Sequence, residues 1–89
     1  MQFKAIATNR FKKDFRSFEK SEQKRLIQAI AKITNDPYGV NREQDIKKLK
    51  DSKSSYRLRV GDLRIIYEID GKKSILWLLT VAHRKESYR

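Results

Sequence analysis

The stretch that most constrains this chain is residues 56–67, YRLRVGDLRIIY. It reads as two short strands joined by a tight Gly61-Asp62 turn, because glycine at the first central position suits a two-residue hairpin loop. With only those two residues in the loop, Val60 lies opposite Leu63 and Leu58 opposite Ile65. Arg59 then faces Arg64, and Arg57 faces Ile66. One side of the hairpin carries Tyr56, Leu58, Val60, Leu63, Ile65 and Tyr67, and the other carries Arg57, Arg59 and Arg64. Like charges directly opposite each other destabilise a sheet. Two readings fit a chain that accepts this cost. The arginines are presented to an anion, or they form a solvated outer face that keeps an edge from aggregating.

The flanking elements follow from the apolar periods. Gln2 to Thr8 reads as a first strand, with Thr8 or Asn9 capping the helix behind it. Phe11, Phe15 and Phe18 recur at i, i+4 and i+7 and give that helix one apolar face. Ser21 reads as the N-cap of a second helix, with Glu22 in its first turn and a buried stripe of Leu26, Ile27, Ile30 and Ile33. Asn35-Asp36-Pro37-Tyr38-Gly39 ends it, since the residue before a proline is pushed out of helical geometry. Val40 to Ser55 reads as a polar connector rich in lysine. Its basic residues are either a solvated loop or a flank for a phosphate backbone. Asp70-Gly71 marks another turn, and Ser74 to Ala82 is a last strand, apolar on both parities as expected of a central strand covered on both faces. The expected architecture is α+β: an N-terminal strand and a helical hairpin packed on a small, largely antiparallel, twisted sheet.

Size and charge narrow the function. The 89 residues are expected to form a single domain, 1–89, with one modest core. A formal net charge of +11 implies a polyanionic partner. The absence of cysteine removes disulfides and thiolate chemistry and fits a cytoplasmic setting. No apolar run approaches a membrane span, and the N-terminus lacks the apolar core of a signal peptide. A lone histidine cannot build a His-rich metal site, and no glycine-rich phosphate loop is present, so neither metal nor cofactor is expected. What remains is arginine, one histidine and several tyrosines. That inventory suits metal-independent phosphodiester chemistry. Guanidinium forks hold phosphate at two points, and RNA supplies its own nucleophile, the 2′-hydroxyl.

The stretch KLKDSKSSYRLRVGDLRIIYEID, followed by an apolar strand and then VAHRKESYR, resembles the RelE/ParE toxin superfamily of toxin–antitoxin systems. The resemblance covers nearly the whole chain and implies the same α+β fold. RelE-like members cleave mRNA in the ribosomal A site, whereas ParE-like members inhibit DNA gyrase on a similar scaffold. The basic residues of the RelE pattern fall on Arg57, Arg59, Arg64 and Arg84, with its tyrosine on Tyr88. The resemblance therefore implies a ribosome-dependent endoribonuclease. In it Arg64 stabilises the phosphate in the transition state, Arg84 holds the phosphate or serves the leaving group, and Tyr88 stacks on a base or orients the nucleophile. Lys47, Lys48, Lys50 and Lys53 would contact RNA on the ribosome. The family pattern carries lysines where this chain has Arg57 and Arg59. Arginine hardly gives up a proton, so His83, with an ordinary pKa of about 6.5, is the candidate for proton transfer. The implied partners are a small acidic antitoxin of the RelB type, the ribosome and mRNA.

Overall fold

The computed structural model describes residues 2–83. The first strand, β1, is Lys4–Ala7, shorter than the expected 2–8. It stops because Thr8 becomes the N-cap of helix α1, Asn9–Arg16, where its Oγ1 accepts the Phe11 N–H at 3.2 Å. The same hydroxyl lies 3.0 Å from the carbonyl oxygens of Leu78 and Leu79 and can donate to either. Helix α2, Lys20–Asn35, begins earlier than Ser21 predicts. Glu19 is the cap, and its N–H donates to Glu22 Oε1 at 3.1 Å, one arm of a capping box. The Gln23 amide donates to the carbonyls of Phe15 and Phe18, closing the end of α1. That bridge fixes a tight link and leaves Ser21 inside the first turn.

The buried stripe of α2 is Leu26, Ala29 and Ile33, with Ile30 half-buried. Ile27, expected inside, is 58% exposed. It lies about 100° around the helix from Leu26, off the covered face.

The remaining strands are β2 (Asp45–Lys48), β3 (Ser55–Val60), β4 (Leu63–Asp70) and β5 (Ile75–His83). The sheet has the order β1-β5-β4-β3-β2, with β1 parallel to β5 and every other pair antiparallel. The hairpin register is the one its turn demands: Val60 pairs with Leu63, Leu58 with Ile65 and Arg59 with Arg64. Gly61 takes φ +59, the left-handed value this loop requires.

The connector is not wholly a loop. Residues 45–48 form the edge strand β2, with Ile46 opposite Leu58 and Lys47 opposite Arg57. Two devices return the chain to the sheet. The Asp36 carboxylate accepts the N–H groups of Val40 and Asn41 at 2.9 and 3.0 Å. Gly39, at φ +72, lets Ile46 pack so close that a Cβ there would sit 3.0 Å from it.

Both helices lie on one face of the sheet. Phe11, Leu26 and Ile33 close over Leu58, Leu63, Ile65, Tyr67, Leu76, Leu78 and Val81 in one core. Burial of each large side chain is worth roughly 1.5–3 kcal/mol. Along β5 the buried positions run 76, 78, 81, a step of two and then of three. The cause is a bulge: Tyr67 pairs with Leu78 but Ile66 pairs with Thr80, so Leu79 is the extra residue. The parity switch accounts for Val81 among the apolar residues on both parities of β5, whereas Ile75 and Trp77, before the bulge, lie half-buried on the outer face. β5 is an inner strand, as expected, but its outer face carries half-buried Trp77 and Thr80.

Candidate functional site

The face turned away from the helices gathers the arginines. Arg57 and Arg59 stand on β3 and Arg64 on β4, with Arg59 and Arg64 directly opposite. Strand β2 adds Asp45 opposite Arg59 and Lys47 opposite Arg57. The row Asp45–Arg59–Arg64 thus crosses three strands. Arg57 is only 8% exposed, and an ion so buried needs a counter-charge. Asp45 supplies it: Oδ1 lies 3.3 Å from Arg57 Nη2, and Oδ2 lies 3.9 Å from Arg59 Nη1. The Nε of Arg59 is buried with no hydrogen-bond partner among the described residues, and the Nε atoms of Arg57 and Arg64 are buried beside it. A buried donor of this kind favours an incoming acceptor.

The three arginines share a depression of about 300 Å³ with Lys47, Lys48 and Lys50. Lys53 lies apart from them, in the neighbouring hollow that Lys48 and Lys50 also line. The whole region is cationic, open and about one phosphate wide between strands roughly 4.8 Å apart. Guanidinium pairs at that spacing can hold one phosphate group at several points. Among the described residues no three His, Asp or Glu side chains gather closely enough to hold a metal ion.

His83 does not join the arginines. It pairs with Leu63 and so points to the helix side. Its ring packs on Phe18 with centroids 5.1 Å apart, and its Nε2 lies 3.8 Å from Glu22 Oε2. The bulge at Leu79 explains the difference. Unbroken alternation from Leu76 and Leu78 would put residue 83 on the arginine face, and one extra residue turns it over. Arg84 and Tyr88, the other two expected site residues, lie outside the described residues. Sequence reasoning passed over Asp45. Its signal was slight: in DIKK, one apolar residue at 46 separates Asp45 from Lys47 on the opposite parity.

A family model described as the ParE toxin of type II toxin–antitoxin system, parDE, matches residues 5–88. This chain belongs to the RelE/ParE toxin superfamily. It is a toxin of the type II class. It is 33% identical over 85 residues to toxin RelE3 of Methanocaldococcus jannaschii, covering 96% of this chain and 94% of that protein. Among solved structures, the RelB–RelE antitoxin–toxin complex of Methanococcus jannaschii contains a chain with a TM-score of 0.76 and 31% identity, covering 93% of this toxin and 94% of that chain. The archaeal RelE–RelB complex from Pyrococcus horikoshii gives a TM-score of 0.80 at 23% identity, covering 94% and 97%. That likeness speaks for the fold: the toxin has the two helices and five-stranded, mostly antiparallel sheet of RelE structures, an α+β fold.

Proposed function

We propose that this toxin is a metal-independent, ribosome-dependent endoribonuclease that cleaves mRNA in the A site and so stops translation. The observation that carries the reading is the convergence of Arg57, Arg59 and Arg64 on one open face, with lysines beside them. A fork of guanidinium groups stabilises the negative charge that builds on phosphate as the 2′-oxygen attacks. The products are a 2′,3′-cyclic phosphate and a 5′-hydroxyl. The family motif adds Arg84 at the phosphate or leaving group and Tyr88 at a base, and rRNA phosphates dock along Lys47, Lys48, Lys50 and Lys53. A small acidic antitoxin silences the toxin by covering this face. The relatives solved as RelE–RelB complexes support such a partner.

The matching family model is that of ParE, which favours a second reading: a gyrase inhibitor with no chemistry of its own. One pair of assays separates the two. Translating ribosomes are incubated with the toxin and new mRNA 5′ ends are mapped, beside a gyrase cleavage assay. Codon-phased 5′-hydroxyl ends support the nuclease. Intact mRNA with trapped gyrase cleavage complexes would install the second reading.

A further inference from the structure

We propose that Asp45 is the proton acceptor of the cleavage reaction, a catalytic residue on the edge strand β2. The inference rests on the endoribonuclease reading above.

In-line attack needs a group that takes the 2′-hydroxyl proton. The arginine face is rich in groups that hold protons and poor in groups that accept them. Arginine and lysine are donors at neutral pH. His83, the imidazole of the chain, sits across the sheet against Phe18. Among the described residues, the carboxylate that touches the arginines is Asp45, from both of its oxygens.

Its geometry suits the task. Oδ1 accepts a hydrogen bond from Arg57 Nη2 at 3.3 Å, whereas Oδ2, 3.9 Å from Arg59 Nη1, lies beyond hydrogen-bond distance and is left to accept a proton. The side chain is 56% exposed, which leaves lone pairs open to a bound nucleotide. A phosphate held between Arg59 and Arg64 lies about one and a half strand spacings, roughly 7 Å, from the Asp45 position. The attacking oxygen must stand about 3–3.5 Å from phosphorus. A 2′-hydroxyl on the β2 side of that phosphate then stands about 4 Å from the Asp45 position, a gap that the carboxylate side chain can span.

The step balances without a co-reactant beyond water. The O2′–H bond breaks and its proton goes to Asp45, while the O2′ electron pair forms the bond to phosphorus. The P–O5′ bond breaks with its pair on O5′, which takes a proton from water. Asp45 then returns its proton to the hydroxide left behind.

Asp45 also neutralises Arg57, so the test must separate a proton acceptor from a positioning group. Asp45→Asn keeps the shape and an oxygen for Arg57 but cannot take the proton. On saturating ribosomes, its single-turnover rate should fall by about 10²–10⁴, with ribosome affinity unchanged or tighter. Among the described residues, the charged groups facing Asp45 are Lys47 on its own strand, Arg57 and Arg59 on β3, and Arg64 one strand further. All four are cations whose ordinary pKa values lie above about 10. The parental rate should vary far less between about pH 5.5 and 8.5 than that of a variant that relies on hydroxide. The Asp45→Asn rate should climb about tenfold per pH unit there, as hydroxide becomes the base. Asp45→Ala should regain activity with added formate or acetate, which a purely structural loss would not do. Parental-like cleavage by Asp45→Asn overturns the proposal, as does failure of carboxylate rescue in an Asp45→Ala protein that binds ribosomes. If the parental toxin itself makes no 5′-hydroxyl ends, the endoribonuclease reading has failed instead.

Discussion

Arg64 faces Arg59 across the hairpin, a pairing that a sheet selected for stability alone would avoid. In the proposed endoribonuclease its value lies in the charge it offers a phosphate. Arg64→Ala should lower the single-turnover cleavage rate by about 10²–10³ with ribosome affinity nearly unchanged, the usual effect of removing one donor to the transition state. Arg64→Lys should recover little, because an ammonium lacks the planar fork. Parental cleavage by Arg64→Ala would move the catalytic site elsewhere. Tyr67 shows the opposite use of a polar side chain. Its ring is fully buried, stacked on Tyr56 at 5.8 Å, and its hydroxyl donates to the Pro37 carbonyl at 2.7 Å. Burial pushes the phenol well above its ordinary value, with the nearby Tyr56 and Asp36 adding to the shift. An unfolded tyrosine titrates near about pH 10. The folded state thus holds the proton more tightly, and this share of stability is complete below about pH 10. It is lost as pH rises from there through the folded value. Tyr67→Phe should cost about 1 kcal/mol at pH 8 by orphaning the carbonyl. Urea unfolding at pH 8 and again near pH 11 should show the gap between the two proteins narrowing at the higher pH.

At the scale of elements, what could be read from sequence was whatever had a strong local cause. The hairpin register follows from one glycine and strict alternation, and Thr8 caps α1 because its hydroxyl meets the Phe11 amide. Strand β2 escaped because four residues carrying a single apolar side chain look like loop. Its pairing depends on Asp36, Gly39 and Leu58, residues distant in sequence. The bulge escaped for the same reason. Leu79 is apolar like its neighbours, and only the pairing with β4 reveals it as the extra residue. One missed residue reversed the face of His83 and, with β2 unseen, left the carboxylate of Asp45 out of the site. The turn can be tested directly. Gly61→Ala places a Cβ on a backbone at φ +59, with Arg25 Nη1 at 3.0 Å. The guanidinium can move aside, so the backbone conformation dominates the cost. Unfolding free energy should drop by roughly 1–2 kcal/mol. No loss of stability in a denaturant titration would mean that the loop relaxes to another turn type.

For the molecule as a whole, the net charge of +11 predicts two salt dependences of opposite sign. Excess positive charge destabilises the compact state by self-repulsion, and added salt screens it. Thermal stability of the free toxin should therefore rise between about 50 and 300 mM salt, because the Debye length contracts over that range. Ribosome binding should weaken over the same range, since lysines and arginines that neutralise rRNA phosphates release counterions that salt pushes back. A folding defect cannot mimic this pair of trends, for it would move both in one direction. The cluster beside the arginines locates the effect. Replacing Lys47, Lys48 and Lys50 with glutamate should weaken ribosome binding more than the single-turnover rate. It should also flatten the slope of log K against log salt by about 2–3, at about 0.7–0.9 for each phosphate no longer neutralised. The same variant lowers the net charge by six, from +11 to +5, and so should blunt the rise of thermal stability with salt. A flatter stability curve with an unaltered binding slope would mean that these lysines contribute to the toxin's overall charge but do not touch the ribosome. The docking surface would then have to be sought on the basic faces of α1 and α2.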